Sequence, residues 1–181
     1  MTSVILLAPN LRTLSFKGHL LSNDDEAPLP ANSIRTFKAD MILSDIGRFV
    51  STIASMPGLT HVTDGCFTCS HTSNHPVEVL SHLTSLTILM HDHPYNNLQA
   101  IITPLLLPNL ASLSLVHEKD GASAGNLFKF AHLEHLLRSC ANSLRRLHIL
   151  YLLDTKDLIL MLETIPRLRE LVIHWRQSSK I

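Results

Sequence analysis

Two cysteines and two histidines in segment 66–75 are the residues whose types and spacing come closest to a metal site. Cys66 and Cys69 have the Cys-x-x-Cys spacing that chelates zinc, and His71 and His75 could complete a tetrahedral ligand set. Known zinc modules, however, separate their ligand pairs by about a dozen residues, whereas His71 follows Cys69 by two. The alternative is a polar loop between two structural units. We therefore predict no metal and no cofactor, and retain these four residues as an alternative zinc site.

Other reactive groups lack the sequence context of an active site. Residues 91–94 read His-Asp-His-Pro and follow a predicted strand, so they form either a binding loop at the sheet rim or a simple turn. The chain has no Gly-x-Ser-x-Gly motif and no glycine-rich phosphate loop, and its six glycines are scattered singly. We predict that the protein is not an enzyme.

Composition narrows the classes of partner. Lysine plus arginine equals aspartate plus glutamate, at 15 each, and this balance argues against a nucleic-acid backbone as the main partner. The odd number of cysteines, three, fits a reducing compartment, and no apolar run approaches a membrane span. We expect a cytoplasmic or nuclear protein that binds no membrane. Twelve histidines would raise the net charge below about pH 6.5.

The elements that position these residues come from a repeated phrase, Leu-x-x-Leu-x-apolar, often just after a proline. Three copies are clear: Leu11 to Phe16, Leu110 to Leu115 and Leu168 to Ile173. Weaker copies bring the number to seven, and their first apolar residues are Leu11, Ile34, Leu59, Leu83, Leu110, Leu144 and Leu168. Their spacing of 23 to 34 residues indicates a stack of similar units. A hydrophobic content of 45% is sufficient for the core of such a stack.

Each phrase has the alternation of a strand, and most intervals have the period of a helix. The fourth and sixth positions of a phrase are apolar between polar neighbours, as in a half-buried strand. The helical stripes are Ile46, Phe49, Val50 and Ile53; Leu98, Ile101, Ile102 and Leu105; Leu127, Phe130, Leu133 and Leu137; and Leu158, Met161, Leu162 and Ile165. We predict an α/β solenoid of about seven irregular repeats. Its curved parallel sheet would be concave, and its helices would lie on the convex side.

The pleat of such a sheet predicts a binding surface. If positions four and six point into the core, positions three, five and seven face the concave side in columns. The third-position column is Thr13, Thr36, His61, Ser85, Ser112, Arg146 and Glu170; the fifth is Ser15, Lys38, Thr63, Thr87, Ser114, His148 and Val172; the seventh is Lys17, Asp40, Gly65, Leu89, Val116, Leu150 and His174. From these we predict a partner-binding set on the concave face: Lys38, His61, Arg146, His148, Glu170 and His174.

The phrase and the helix that follows it resemble the irregular leucine-rich repeats of fungal F-box proteins, over about residues 5–175. In that family an N-terminal F-box recruits a ubiquitin ligase through a small adaptor, and the repeats hold the protein substrate. The resemblance implies a protein-binding module. It would bind a ubiquitin-ligase adaptor only if an F-box exists outside this chain. The usual Asn or Cys after the strand is absent from every copy, and no F-box lies within the 181 residues. We therefore expect residues 1–181 to be one leucine-rich-repeat domain of a longer array or a truncated chain, with a non-functional or purely structural fragment as an alternative.

Overall fold

A seven-stranded parallel sheet is the main element of the computed structural model, which describes residues 10–17, 32–40, 46–64, 77–90, 98, 101–117, 129–150 and 153–173. Its strands are β1 (Thr13–Lys17), β2 (Thr36–Asp40), β3 (His61–Asp64), β5 (Ser85–Met90), β7 (Ser112–His117), β8 (Arg146–Ile149) and β9 (Glu170–Ile173). They lie side by side in chain order, and every pairing is parallel. The protein is therefore of the α/β class, and the described strands form one open parallel sheet with β1 and β9 at its edges.

A second layer connects these strands and follows the same order. Its helices are α1 (Ile46–Ala54), the 3-10 helix η1 (Phe130–His132), α2 (Glu134–Ser139) and α3 (Thr155–Thr164). Two short strands, β4 (Glu78–Val79) and β6 (Leu105–Leu106), pair in parallel as a separate sheet. Helix α1 contacts β4, strand β6 contacts α2, and α2 contacts α3. Both layers thus advance unit by unit along the chain.

The core lies between the layers and is built by the predicted alternation. The fourth-position residues Phe37, Val62, Leu86, Leu113 and Leu147 are each no more than 2% exposed. From the second layer, the buried side chains include Phe49, Val50, Ile53, Ile101, Ile102, Leu136, Leu137 and Met161. The alternation buries one face of strands β2, β3, β5, β7 and β8 because successive side chains point to opposite sides of a sheet.

A tight turn precedes most strands and explains the recurrent proline. In Met56-Pro57-Gly58-Leu59 the Leu59 N–H donates to the Met56 carbonyl at 3.0 Å. Leu110 and Leu168 donate in the same way to Leu107 and Ile165, at 3.1 Å each. Proline suits the second position of such a turn because its fixed φ matches the turn and its missing N–H is not needed there.

A ladder of shared carbonyls ties each unit to the next. The second-position carbonyl of Arg12 accepts the N–H groups of Arg35 and Thr36, at 2.8 and 3.0 Å. The same two-to-one pattern recurs at the carbonyls of Arg35, Thr60, Thr84, Ala111 and Arg145. Backbone groups at the start of these strands are therefore paired between neighbouring units. The positions at which the expected Asn or Cys is missing lie outside the described residues.

The predicted helical stripes are correct in part. Leu98, Ile101 and Ile102 are helical and buried, but Leu105 belongs to β6. Pro104 explains this end, because proline breaks a helix and its free carbonyl accepts the Glu78 N–H at 2.7 Å. Leu162, predicted to face the core, is 40% exposed on α3. Among the described residues, no helix is long and apolar enough to cross a membrane.

Candidate partner-binding face

The strand register places the predicted columns side by side. We call the sheet surface opposite the core the outward face. The whole third-position column is in register from Thr13 to Glu170, and the whole fifth-position column from Ser15 to Val172. In the seventh-position column, Lys17 pairs with Asp40, and Leu89 pairs with Val116. Residues far apart in the chain thus form one continuous surface.

Small hydroxyl side chains dominate the middle of this surface. Ser85, Thr87, Ser112 and Ser114 are half-buried neighbours on β5 and β7. Lys38 and His61 are exposed toward the β1 side. The Thr60 hydroxyl lies 2.8 Å from His61 Nδ1 and also donates to the Arg35 carbonyl at 3.1 Å. These bonds hold the His61 ring at the strand start while leaving it open to solvent.

Charged residues are concentrated toward β9. Arg146 and Glu170 are exposed register partners on β8 and β9. Neither forms an ion pair with any residue in the described part of the chain. His148 is half-buried, with its Nδ1 3.4 Å from the hydroxyl of its register partner Ser114. The predicted residues Arg146, His148 and Glu170 therefore lie together on the outward face.

An apolar strip borders these polar columns. Leu89 and Val116 are register partners with half-buried side chains. Leu150 is half-buried too, and its N–H donates to the Leu115 carbonyl at 2.9 Å, which carries the β7–β8 pairing one residue past the strand. These three residues form the apolar strip. The sequence analysis placed these three residues in one column but predicted a binding set of charged residues and histidines. The three successive apolar residues in the seventh-position column were the signal that could have revealed the strip.

Several predicted residues fall outside the described residues: His174, the segment 91–94, and the alternative zinc ligands Cys66, Cys69, His71 and His75. Within the described ranges, no group of three or more His, Cys, Asp or Glu side chains could hold a metal ion. Cys140 is buried in the core, its thiol donates to the Leu136 carbonyl at 3.2 Å, and burial raises its pKa to about 12. Such a thiol is a packing group and not a nucleophile.

The second layer carries a shallow groove of about 650 Å³ between α2 and α3. Glu134 lines it and accepts two bonds from Arg138, at 2.7 and 3.0 Å. Phe130, Leu160 and Glu163 also line the groove. The Glu134–Arg138 pair is a surface pair one helical turn apart, and such pairs are common supports of an exposed helix. This groove presents no cluster of reactive groups, so the outward face is the better candidate site.

Comparison of the chain with family models, with curated proteins and with solved structures finds no match.

Proposed function

We propose that the protein is a leucine-rich-repeat solenoid that recognises a protein partner through its outward face, which would be the concave one. Support for the repeat class comes from the in-register phrases, the recurring Pro turn and the carbonyl ladder, all of which repeat unit by unit. Support for recognition comes from the surface those repeats build.

The observation that carries the function is the apolar strip beside the hydroxyl and charged columns. Leu89, Val116 and Leu150 would bury apolar partner side chains, and their half-buried, backbone-fixed positions lower the entropic cost of binding. Ser114 and His148 of the fifth-position column supply hydrogen-bonding groups at its border, and Arg146 lies in the next column beyond them. Arginine is among the residues most often found at energetic hot spots of interfaces. A partner surface that carries apolar side chains and anionic or other hydrogen-bond-accepting groups matches this combination.

The more specific role is the substrate arm of an F-box-type ubiquitin ligase. It rests on the resemblance of the repeats to those of fungal F-box proteins and is an argument by family analogy. It requires an F-box outside this chain. Co-purification of the native gene product with a ligase adaptor would support this role. A native gene product that has no F-box and does not co-purify with the adaptor would reject it.

A pair of matched variants tests the recognition surface. Val116→Lys places a charge in the apolar strip, whereas Val79→Lys makes the same change on β4 of the second layer, where Val79 is 59% exposed. Wild-type and variant chains would be used to capture proteins from cells, with the bound proteins quantified by mass spectrometry and folding checked by circular dichroism.

We expect Val116→Lys to lose at least about 90% of a specific partner, a tenfold loss equivalent to about 1.4 kcal/mol, and Val79→Lys to retain it. Ser112→Arg on the same face gives a second test that leaves the strip intact. Retention of every partner by folded Val116→Lys and Ser112→Arg would reject the outward face as the binding surface.

A further inference from the structure

The edge of the main sheet at which the strands begin carries cations and no carboxylates. We define the turn edge as the residue directly before each of the seven phrases together with the second residue of the phrase. These positions hold five arginines and no Asp or Glu: Arg12, Arg35, Arg145, Arg167 and Arg169. Because the whole chain balances 15 Lys and Arg against 15 Asp and Glu, positive charge is concentrated at this edge.

Exposure at the turn edge belongs to these positions and not to the last unit alone. Arg35 of the second unit and Asn109 of the fifth unit are exposed. Arg167 and Arg169 of the seventh unit are exposed in the same way. The turn edge is therefore accessible to a partner in inner units as well.

Three of the five arginines, Arg145, Arg167 and Arg169, lie together on two neighbouring units and form what we call the arginine cluster. The Arg169 N–H donates to the Arg145 carbonyl at 2.8 Å, which sets the two second positions side by side. The Arg145 guanidinium is held by two nearby backbone carbonyls, at 3.1 and 3.2 Å. Within the described ranges none of the three forms an ion pair, and residues 174–181 contain no Asp or Glu. The cluster thus keeps its charge for a partner.

Guanidinium groups are the donors that this cluster offers, because neighbouring backbone N–H groups are already paired. The Arg145 N–H donates to the Ala111 carbonyl at 2.9 Å, and the Arg169 N–H to Arg145. The Leu168 N–H donates to the Ile165 carbonyl at 3.1 Å. Phosphate sites commonly use free backbone N–H groups, whereas a guanidinium binds a carboxylate through two parallel hydrogen bonds. The cluster therefore favours carboxylates.

The rest of the turn edge does not extend this cluster. The second positions between the two groups of arginines are uncharged: Thr60, Thr84 and Ala111. Arg12 and Arg35 each donate through Nη1 to a carbonyl of the following turn, at 3.3 and 2.8 Å, and so stabilise neighbouring turns. With strands about 4.8 Å apart, a cluster two strands wide fits a short peptide segment. Nucleic acid requires the neutralisation of many phosphates, and this cluster is too small for that.

We propose that the arginine cluster binds a short run of Asp or Glu side chains in the protein partner. The inference rests on the proposed function, which makes the partner a protein, and it adds the chemistry by which that partner is recognised. Glu170, the register partner of Arg146 on the outward face, limits the acidic run to the turn edge because it repels carboxylates. The partner residue over Glu170 is therefore neutral or cationic.

Fluorescence anisotropy with two labelled peptides and the full chain tests the proposal. One peptide carries four successive aspartates between Gly-Ser flanks, and the other carries four asparagines in their place. The aspartate peptide should bind at least about tenfold more tightly, because several exposed charge pairs each add a small gain. This preference should shrink as NaCl is raised above about 0.15 M, because salt screens exposed charges.

Variants of the cluster locate the binding. The double variant Arg167→Gln, Arg169→Gln removes two exposed guanidiniums and leaves the turn bonds of Arg145 intact. It should bind the aspartate peptide within about twofold of the asparagine peptide. The matched control, Lys129→Gln with Lys156→Gln, removes two exposed cations from the second layer and should bind as the wild type does. Circular dichroism checks that each variant is folded.

Two results would overturn the proposal directly: equal affinity of the wild type for both peptides, or an aspartate preference that the folded double variant retains. A third arm uses duplex DNA and a peptide with two phosphoserines, which has about the charge of the aspartate peptide. Tighter binding of either one than of the aspartate peptide assigns the cluster to phosphate and also overturns the proposal.

Val116→Lys separates this inference from the proposed function, because it changes the apolar strip and not the turn edge. Loss of the captured partner by Val116→Lys, with no aspartate preference in the wild type, overturns the inference and leaves the outward face standing. Retention of every partner by Val116→Lys and Ser112→Arg, with an aspartate preference that the double variant abolishes, rejects the outward face and supports carboxylate binding at the cluster.

Discussion

Arg146 on β8 and Glu170 on β9 lie directly beside each other on the outward face, although 24 residues separate them in the chain. Opposite charges at adjacent strand positions attract weakly when they are exposed, by less than about 1 kcal/mol. The attraction between Arg146 and Glu170 therefore contributes little to the stability of the fold.

Charge reversal should separate recognition from folding. Arg146→Glu and Glu170→Arg should each weaken capture of a specific partner about tenfold, since each removes a partner contact and creates a like-charge pair. The double reversal restores the pair but inverts its direction, so binding should stay weak while thermal stability returns to the wild-type value. Lys156→Glu on exposed α3 is the control. Wild-type binding by the double variant would show that the charges are not read by the partner.

Core truncations should reveal the difference between inner and end units. Leu113→Ala on central β7 empties a fully buried site and should cost about 3–5 kcal/mol in unfolding free energy. Leu171→Ala on β9 removes a partly buried side chain and should cost about half as much. Urea unfolding monitored by circular dichroism measures both. Equal losses would contradict the lower burial of Leu171.

Gly58 should not tolerate a side chain. A Cβ there would lie 2.8 Å from the Asn32 carbonyl oxygen and 2.8 Å from Arg35 Nη1, which donates to the Gly58 carbonyl. Gly58→Ala should destabilise the fold by about 1–3 kcal/mol, because backbone in the neighbouring unit must move.

Asn109 occupies the same turn position two units later, and its amide donates to the Ser81 carbonyl at 2.7 Å. Asn109→Ala loses only this exposed bond and should cost no more than about 1 kcal/mol. Thermal unfolding compares the two variants. A harmless Gly58→Ala would mean that the turn after α1 is loosely packed.

His82 should make stability depend on pH. Its Nε2 is buried and has no hydrogen-bond partner among the described residues, and desolvation lowers the pKa of the ring from 6.5. Between the lowered value and 6.5 the unfolded chain binds the proton more readily, so stability should fall as pH drops through this window. The melting temperature should therefore decline from pH 7 toward pH 5.

His82→Leu removes the titrating ring, and its decline over the same range should be shallower. His132→Leu should act in the same direction, because burial and then the Lys129 charge lower the pKa of His132, against a smaller opposing effect of Asp157. An identical slope in the wild type and both variants would assign the pH dependence to other groups.

The amino-acid sequence by itself determined the seven strands of the main sheet, their register and the residues that face the core. Within six residues, the phrase Leu-x-x-Leu-x-apolar predicts which side chains face the core. The near-equal spacing of the phrases predicts how one strand aligns with the next. The turn prolines are equally local, since their fixed φ acts on four residues. Both the alternation and the turn depend only on residues that are close together in the chain.

Only the tertiary structure decided what depends on neighbours from other units. Pro104 ends the helix locally, as the sequence predicts. The β4–β6 pair that follows depends on another unit, because the Glu78 N–H donates to the Pro104 carbonyl. Leu171 and Leu147 occupy the same position in the same phrase, yet Leu147 is buried and Leu171 only partly so. Among the described residues, Leu147 has a neighbouring unit on each side, whereas Leu171 has one on a single side. The burial of a side chain depends on which residues of other units pack against it. The repeated phrase is the same in every unit, so it does not show which units lie on either side.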